Sequence, residues 1–527
     1  MNKNQSLFLL IRSLSKSEKR YFKLFAAKSG SREAKQSIIL FDAIEKQSSK
    51  RSRKIMQYDE SLVYGKLVNT PLAKQFSAAK LYLYNMILKS LHLFHDNVAE
   101  KVKEQLHYIK ILYDRNLHDQ CFEIILKAKR IAKKYDLNEL LLQLLDWEKI
   151  TIHNVELQSG SLVEKTEKII REEDLIIDRM ARVRMYKNIS FKFLSIPYKS
   201  DAFRRKETKE LFKKLNRTDF FSDKEEGENF NEAFYRYKAY DFYYSRNEEH
   251  LNSYRYTKKI ILLMESNPEQ IHFSPIRYVG SLNNHMLNCR RLGKYNELRS
   301  GINIMRSFAG TLNESHSYIH TLVFQSTYVF ELKLYIDNGE FDKALGVVNV
   351  INDIIKKYDK GISELYKLFF YFNFSLVYLG LGDFRTALYW NNMEFNNPAT
   401  RLYDSHIRSL TILNLVVHYE LQNFDLLSSI IRSLYRGAGF KQKFNEYEVR
   451  LLDLFHALVN LNLSSGNNKG ITTLFSDTKR DLLMIRKKNP LVVSDPPDFD
   501  IVSWLNSKIE NRSFAEIVKE KAGKIVS

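Results

Sequence analysis

Few side chains in this sequence stand at spacings that chemistry uses. His316 and His320 lie four apart, with Glu314 nearby. On a helix such residues share a face, and zinc sites exploit that spacing. The full HExxH pattern, which adds a general base to two such histidines, does not occur. His92 and His95 form a similar loose pair. All four are expected as solvent-facing or packed histidines. Cys121 and Cys289 are the only cysteines. Both fall on predicted helix faces, where a lone thiol behaves as a small apolar group. Two cysteines make no disulfide framework and no CxxC zinc signature, which fits a reducing compartment. No P-loop, no GxGxxG after a strand and no GxSxG nucleophile elbow is present. Acidic residues are numerous, but spacing singles out no pair as acid and base. The expectation is a non-enzymatic protein without metal or cofactor.

Binding is the chemistry the composition favours. The 527-residue chain has 82 Lys and Arg against 62 Asp and Glu, a formal net charge of +20. The excess is concentrated: residues 1–100 hold 18 Lys and Arg but 8 Asp and Glu. Such an end attracts an acidic partner: nucleic acid, a ribosomal surface or an acidic protein. Its densest run is SSKRSRK, where Lys50, Arg51, Arg53 and Lys54 are candidate nucleic-acid contacts. A solvated charged surface accounts for the same run.

The elements that would position these groups are helices. The chain has 8 prolines, with none between Pro71 and Pro197 or between Pro275 and Pro398. No strand-like alternation persists over several segments. The clearest unit is Ser363 to Pro398. Ser363 can cap a helix, and Glu364 suits its positive first turn. Tyr371, Phe374 and Tyr378 define one face; Leu368, Phe372, Leu376 and Leu379 define another. A helix apolar nearly all round must be covered on both sides. Lys367 and Asn373 interrupt the run too early for a membrane span. A turn at Gly380 to Asp383 leads to a second helix from Phe384, which Pro398 stops.

This hairpin resembles a tetratricopeptide repeat on Tyr371, Phe374, Ser375, Tyr378, Gly382, Phe384, Ala387 and Pro398. Asn391 and Glu394 depart from it, because the family usually places an apolar and a small residue there. Related blocks stand at Gly293-Lys294-Tyr295, Gly339-Glu340-Phe341 and Gln422-Asn423-Phe424. Their anchors Leu298, Ala344, Ala387 and Leu427 are 46, 43 and 40 residues apart. The family period is about 34, so these helices or loops are longer. The resemblance implies an all-α, right-handed superhelical solenoid of antiparallel helix hairpins. It implies a protein or peptide partner held in a concave groove lined by the first helices. On that side stand Asn283, Asn284, Asn288, Arg291, Lys333 and Asn373. Asparagine both donates and accepts, which suits a peptide backbone.

Three regions are expected. Residues 1–97 form a basic helical module or cap, with a capping box at Ser15 and Glu18. Residues 98–470 carry the repeats. In the helix after the turn at Asn116, Lys127, Lys129, Arg130, Lys133 and Lys134 are expected on the solvated side, and Ser161 and Glu164 form a second capping box. Residues 471–527 hold a proline-containing linker and a last helix pair with Trp504, expected to pack on the final repeat. The apolar patch Leu7 to Ile11 is too short for a signal peptide. The reading is a cytoplasmic scaffold that binds a protein or peptide, with nucleic-acid or ribosome association as the alternative.

Overall fold

A helix that ends on a left-handed residue can turn sharply into the next one. The computed structural model uses this device repeatedly. It describes residues 3–49, 59–67, 75–95, 97–155, 162–195, 210, 229–313, 316–358, 362–402, 404–436, 444–463, 468–488 and 498–526. Gly382 has φ +77°. Its N–H donates to the Leu379 carbonyl at 3.1 Å, and the Asp383 N–H donates to Tyr378 at 2.9 Å. These bonds satisfy carbonyls that a helix end otherwise leaves open. The same pair of bonds closes turns at Gly293 and Gly339. It also closes turns at Asn116, Asp136, Glu248 and Gln422, which hold positive φ with a side chain present.

Among the described residues 89% are helical and none is in a strand. These described residues form 24 α-helices. None is long and apolar enough to cross a membrane among the described residues. The chain divides into two units, one of Met1–Ile176 with Gly310–Tyr318, the other of Ile177–Ala309 with Ile319–Ser527.

The first unit opens with α1 (Lys3–Ser13), α2 (Lys16–Lys28), α3 (Arg32–Ser49), α4 (Glu60–Leu67) and α5 (Phe76–Phe94). Ser15 and Glu18 form the expected capping box on α2. Leu7, Ile11, Phe22, Phe41, Leu83 and Ile87 belong to one shared core. Then come α6 (Val98–Tyr113), α7 (His118–Lys134) and α8 (Asn138–Val155), each packed on the next. Lys129 on α7 corrects the expectation of a solvated face. It is buried, ion-paired to Glu148 and 3.3 Å from Glu172. Lys127, Arg130, Lys133 and Lys134 are exposed. Next is α9 (Leu162–Ser195), whose residues up to Ile176 belong to this unit. Ser161 of the second expected capping box lies outside the described residues.

The second unit takes up the rest of α9 and the helices that follow, apart from Gly310–Tyr318. It runs through α10 (Phe230–Arg246), α11 (His250–Glu265), α12 (Pro268–Phe273), α13 (Pro275–Arg291), α14 (Tyr295–Thr311), α15 (Ser317–Asp337) and α16 (Phe341–Tyr358). It continues through α17 (Glu364–Gly380), α18 (Phe384–Phe395), α19 (Asp404–Glu420), α20 (Phe424–Arg436), α21 (Glu446–Leu463), α22 (Asn468–Lys488), α23 (Ile501–Glu510) and α24 (Phe514–Val526). Contacts run mainly between successive helices. The α17–α18 hairpin shows why. Ser363 Oγ accepts the Tyr366 N–H at 3.3 Å and starts α17. Phe370, Phe372, Phe374 and Leu376 are all buried, so α17 is covered on both sides. Fully buried Ala387 lets α18 approach, and Trp390 stacks on Tyr371 with centroids 5.5 Å apart. Burying each such large side chain contributes roughly 1.5–3 kcal/mol.

The last helix pair does more than cover the final repeat. Trp504 on α23 is fully buried against Tyr419, Phe455 and Phe475, with centroids 5.7–5.9 Å away. Beyond it, Phe514 packs on Phe341 of α16 at 5.8 Å. A Cβ added to Gly339 would lie 2.7 Å from the Lys519 nitrogen of α24. Glycine is therefore needed at that turn for room as well as for its φ of +69°.

Candidate functional site

The first helices of the second unit carry polar side chains on faces that their apolar neighbours bury. Two networks result. In the first, Asp241 of α10 accepts the Ser253 hydroxyl of α11 at 2.6 Å. Its other oxygen accepts the Asn284 amide of α13 at 3.3 Å. Asn288, one helical turn further along α13, donates to Ser253 at 2.8 Å. Its Oδ1 is buried with no hydrogen-bond partner among the described residues. Arg291 donates to the Ser245 hydroxyl at 3.2 Å. Asp241 is 3% exposed. Burial pushes its carboxyl up to about 6, against the pull of Ser253, Asn284 and Arg291.

The folded state holds the Asp241 proton more firmly than the unfolded chain does. Stability from this group is therefore present at low pH and is lost as pH rises toward the folded value. Two pH units correspond to about 2–3 kcal/mol. Asp241→Asn should lack that loss. Its stability relative to the parent should rise by about this amount between roughly pH 4 and pH 7. Urea unfolding of both proteins across that range reads the difference. Parallel curves would show that Asp241 does not titrate there.

The second network lies on α13, α15, α17, α18 and α19. Arg290 holds Asp337 with two bonds, at 2.7 and 3.0 Å. Lys333 of α15 is 7% exposed. Its ammonium donates to the main-chain carbonyl of Asp498 at 3.2 Å and stands 3.5 Å from that residue's carboxylate. It also sits 5.5 Å from the centre of the Phe372 ring. Burial lowers the Lys333 pKa, and Asp498 opposes the shift. Glu394 is fully buried and pairs with His406, while burial pushes its carboxyl up. Asn391 accepts from Asn414 at 3.1 Å. The two departures from the repeat pattern thus find their partners on the next first helix, α19.

Asn284, Asn288 and Arg291 come together in the first network, and Lys333 belongs to the second. Asn373 is 1% exposed and donates to the Phe369 carbonyl at 2.6 Å, so it bonds within its own helix. Asn283 is half-buried. Lys50, Arg51, Arg53 and Lys54 lie outside the described residues, as does Glu314. His316 bonds Asn313 at 2.9 Å, and His320 is half-buried. His92 is exposed, and His95 meets Glu18 at 2.8 Å. Asp241, Glu394, His406 and Asp498 were not singled out by spacing. Two signals were visible: the departure of Glu394 from the repeat pattern, and a carboxylate inside the aromatic run AYDFYY, a position that demands internal partners. No family model, no curated protein and no solved structure matches this chain.

Proposed function

We propose that this protein is a non-enzymatic, cytoplasmic scaffold of tetratricopeptide-like repeats. In this reading the hairpins wind into a right-handed superhelix, and the first helices line a concave groove that takes an extended segment of a protein partner. One observation carries the reading. Lys333, in mid-helix, grips the carbonyl of Asp498 at 3.2 Å, so a first-helix side chain holds a non-helical stretch of backbone. A partner segment with a carboxylate beside a free carbonyl would engage the same kind of donor.

A second reading is association with nucleic acid or the ribosome through the N-terminal module. It draws on the charge excess of residues 1–100 and on a shallow depression lined by Lys16, Arg20, Tyr21 and Phe94. Pull-downs from native lysate with the full chain, with and without nuclease, separate the two. The groove reading expects the same proteins after nuclease, and weaker capture with Asn283→Ala, whose side chain is only half-buried. Capture that vanishes with nuclease and falls steeply with salt would transfer the function to the basic module.

A further inference from the structure

We propose that His285, Cys289 and Glu297 form a binding site for a zinc-class divalent cation, separate from the groove. His285 and Cys289 stand four apart on α13 and so share a face. The turn at Gly293 folds the chain back, with the Lys294 N–H donating to the Cys289 carbonyl at 2.8 Å. That turn delivers Glu297, in the first turn of α14, to the same place. One ligand atom from each residue lies within 4.8 Å of the others. Imidazole nitrogen, thiolate sulfur and carboxylate oxygen together suit zinc better than magnesium or calcium.

The surrounding groups orient these ligands. The Thr257 hydroxyl donates to the Tyr254 carbonyl at 3.0 Å. Its single proton is thereby used, so its contact with His285 Nδ1 at 3.1 Å is one in which the ring N–H donates. Nε2 then keeps its lone pair, as a metal-ligating histidine requires. Tyr254 stacks on the His285 ring at 5.0 Å and donates its hydroxyl to Glu297 at 2.6 Å. Lys294 approaches the other Glu297 oxygen at 3.2 Å. The two cysteines differ in a telling way. Cys121 donates its thiol to the Ile109 carbonyl at 3.4 Å, whereas the Cys289 thiol makes no hydrogen bond among the described residues. Binding would replace the Cys289 S–H bond by a sulfur–metal bond and release one proton to solvent. A dipositive ion then meets one thiolate and one carboxylate, so the centre itself is neutral. Cys289 is buried, while His285 and Glu297 are half-buried. A fourth position therefore stays open for water.

Cobalt(II) titration of the chelator-treated full chain tests the site. The expected result is one cobalt per chain, with a thiolate-to-cobalt charge-transfer band and tetrahedral visible bands, all displaced by zinc. Cys289→Ser should remove the charge-transfer band, and Cys121→Ser should keep it. His285→Ala and Glu297→Gln, which leave the thiol in place, should each weaken binding at least about tenfold. They keep the test decisive if Cys289→Ser does not fold, with circular dichroism confirming the helices. Absence of the band in the parent, or unchanged affinity in both thiol-retaining variants, would overturn the proposal.

Discussion

Replacing Arg290 by alanine is expected to cost about 3–5 kcal/mol of stability. Arg290 is 7% exposed and holds Asp337 through two bonds. Truncation leaves the Asp337 carboxylate, itself 14% exposed, without its bonded cation and with only the charge of Lys333 acting on it. The poorly compensated charge, more than the lost bonds, sets the size of the effect. Removing both charges with Arg290→Met and Asp337→Leu should therefore recover most of the loss. Urea unfolding of the single and double variants measures both. A double variant as unstable as Arg290→Ala would mean that packing, not charge, dominates.

Trp504→Ala should cost a comparable amount, about 3–5 kcal/mol, through the cavity it leaves. The indole fills the space between Tyr419, Phe455 and Phe475. Its N–H donates to Glu420 at 2.6 Å, and Lys508 bonds the other Glu420 oxygen at 2.7 Å. Lys508 remains in the variant, so Glu420 stays paired and the loss is mainly apolar. Trp504→Phe should accordingly recover more than half. Melting temperature and the rate of protease cleavage before Ile501 report the change. Equal melting of parent and Trp504→Ala would show that α23 and α24 are not part of the core.

Much of the hairpin architecture was legible because its signals are local. Ser15 with Glu18, Ser363, Gly293, Gly339 and Gly382 act through bonds to residues three to five positions away. The turns at Asp136 and Glu248 gave no such signal, since their left-handed residues are not glycine. Lys129 looked solvated by helical spacing, yet Glu148 and Glu172 come from other helices to bury it. The contacts of Lys333 with Asp498 and of Trp504 with Phe455 span long stretches of chain. Nothing in either local stretch encodes such a partner. The same holds for His285, Cys289 and Glu297, whose meeting depends on the turn between α13 and α14.

Because α23 and α24 follow in the chain every helix they cover, they emerge from the ribosome after those helices. Until Trp504 arrives, Tyr419, Phe455 and Phe475 face an unfilled site. Premature termination upstream of Trp504 would yield a product that displays this aromatic surface on an otherwise folded body. Such surfaces are what chaperones and proteases engage. Arrival of α23 and α24 would hide the signal, so chains that stop before Trp504 would be told apart from chains that extend past it without any dedicated tag.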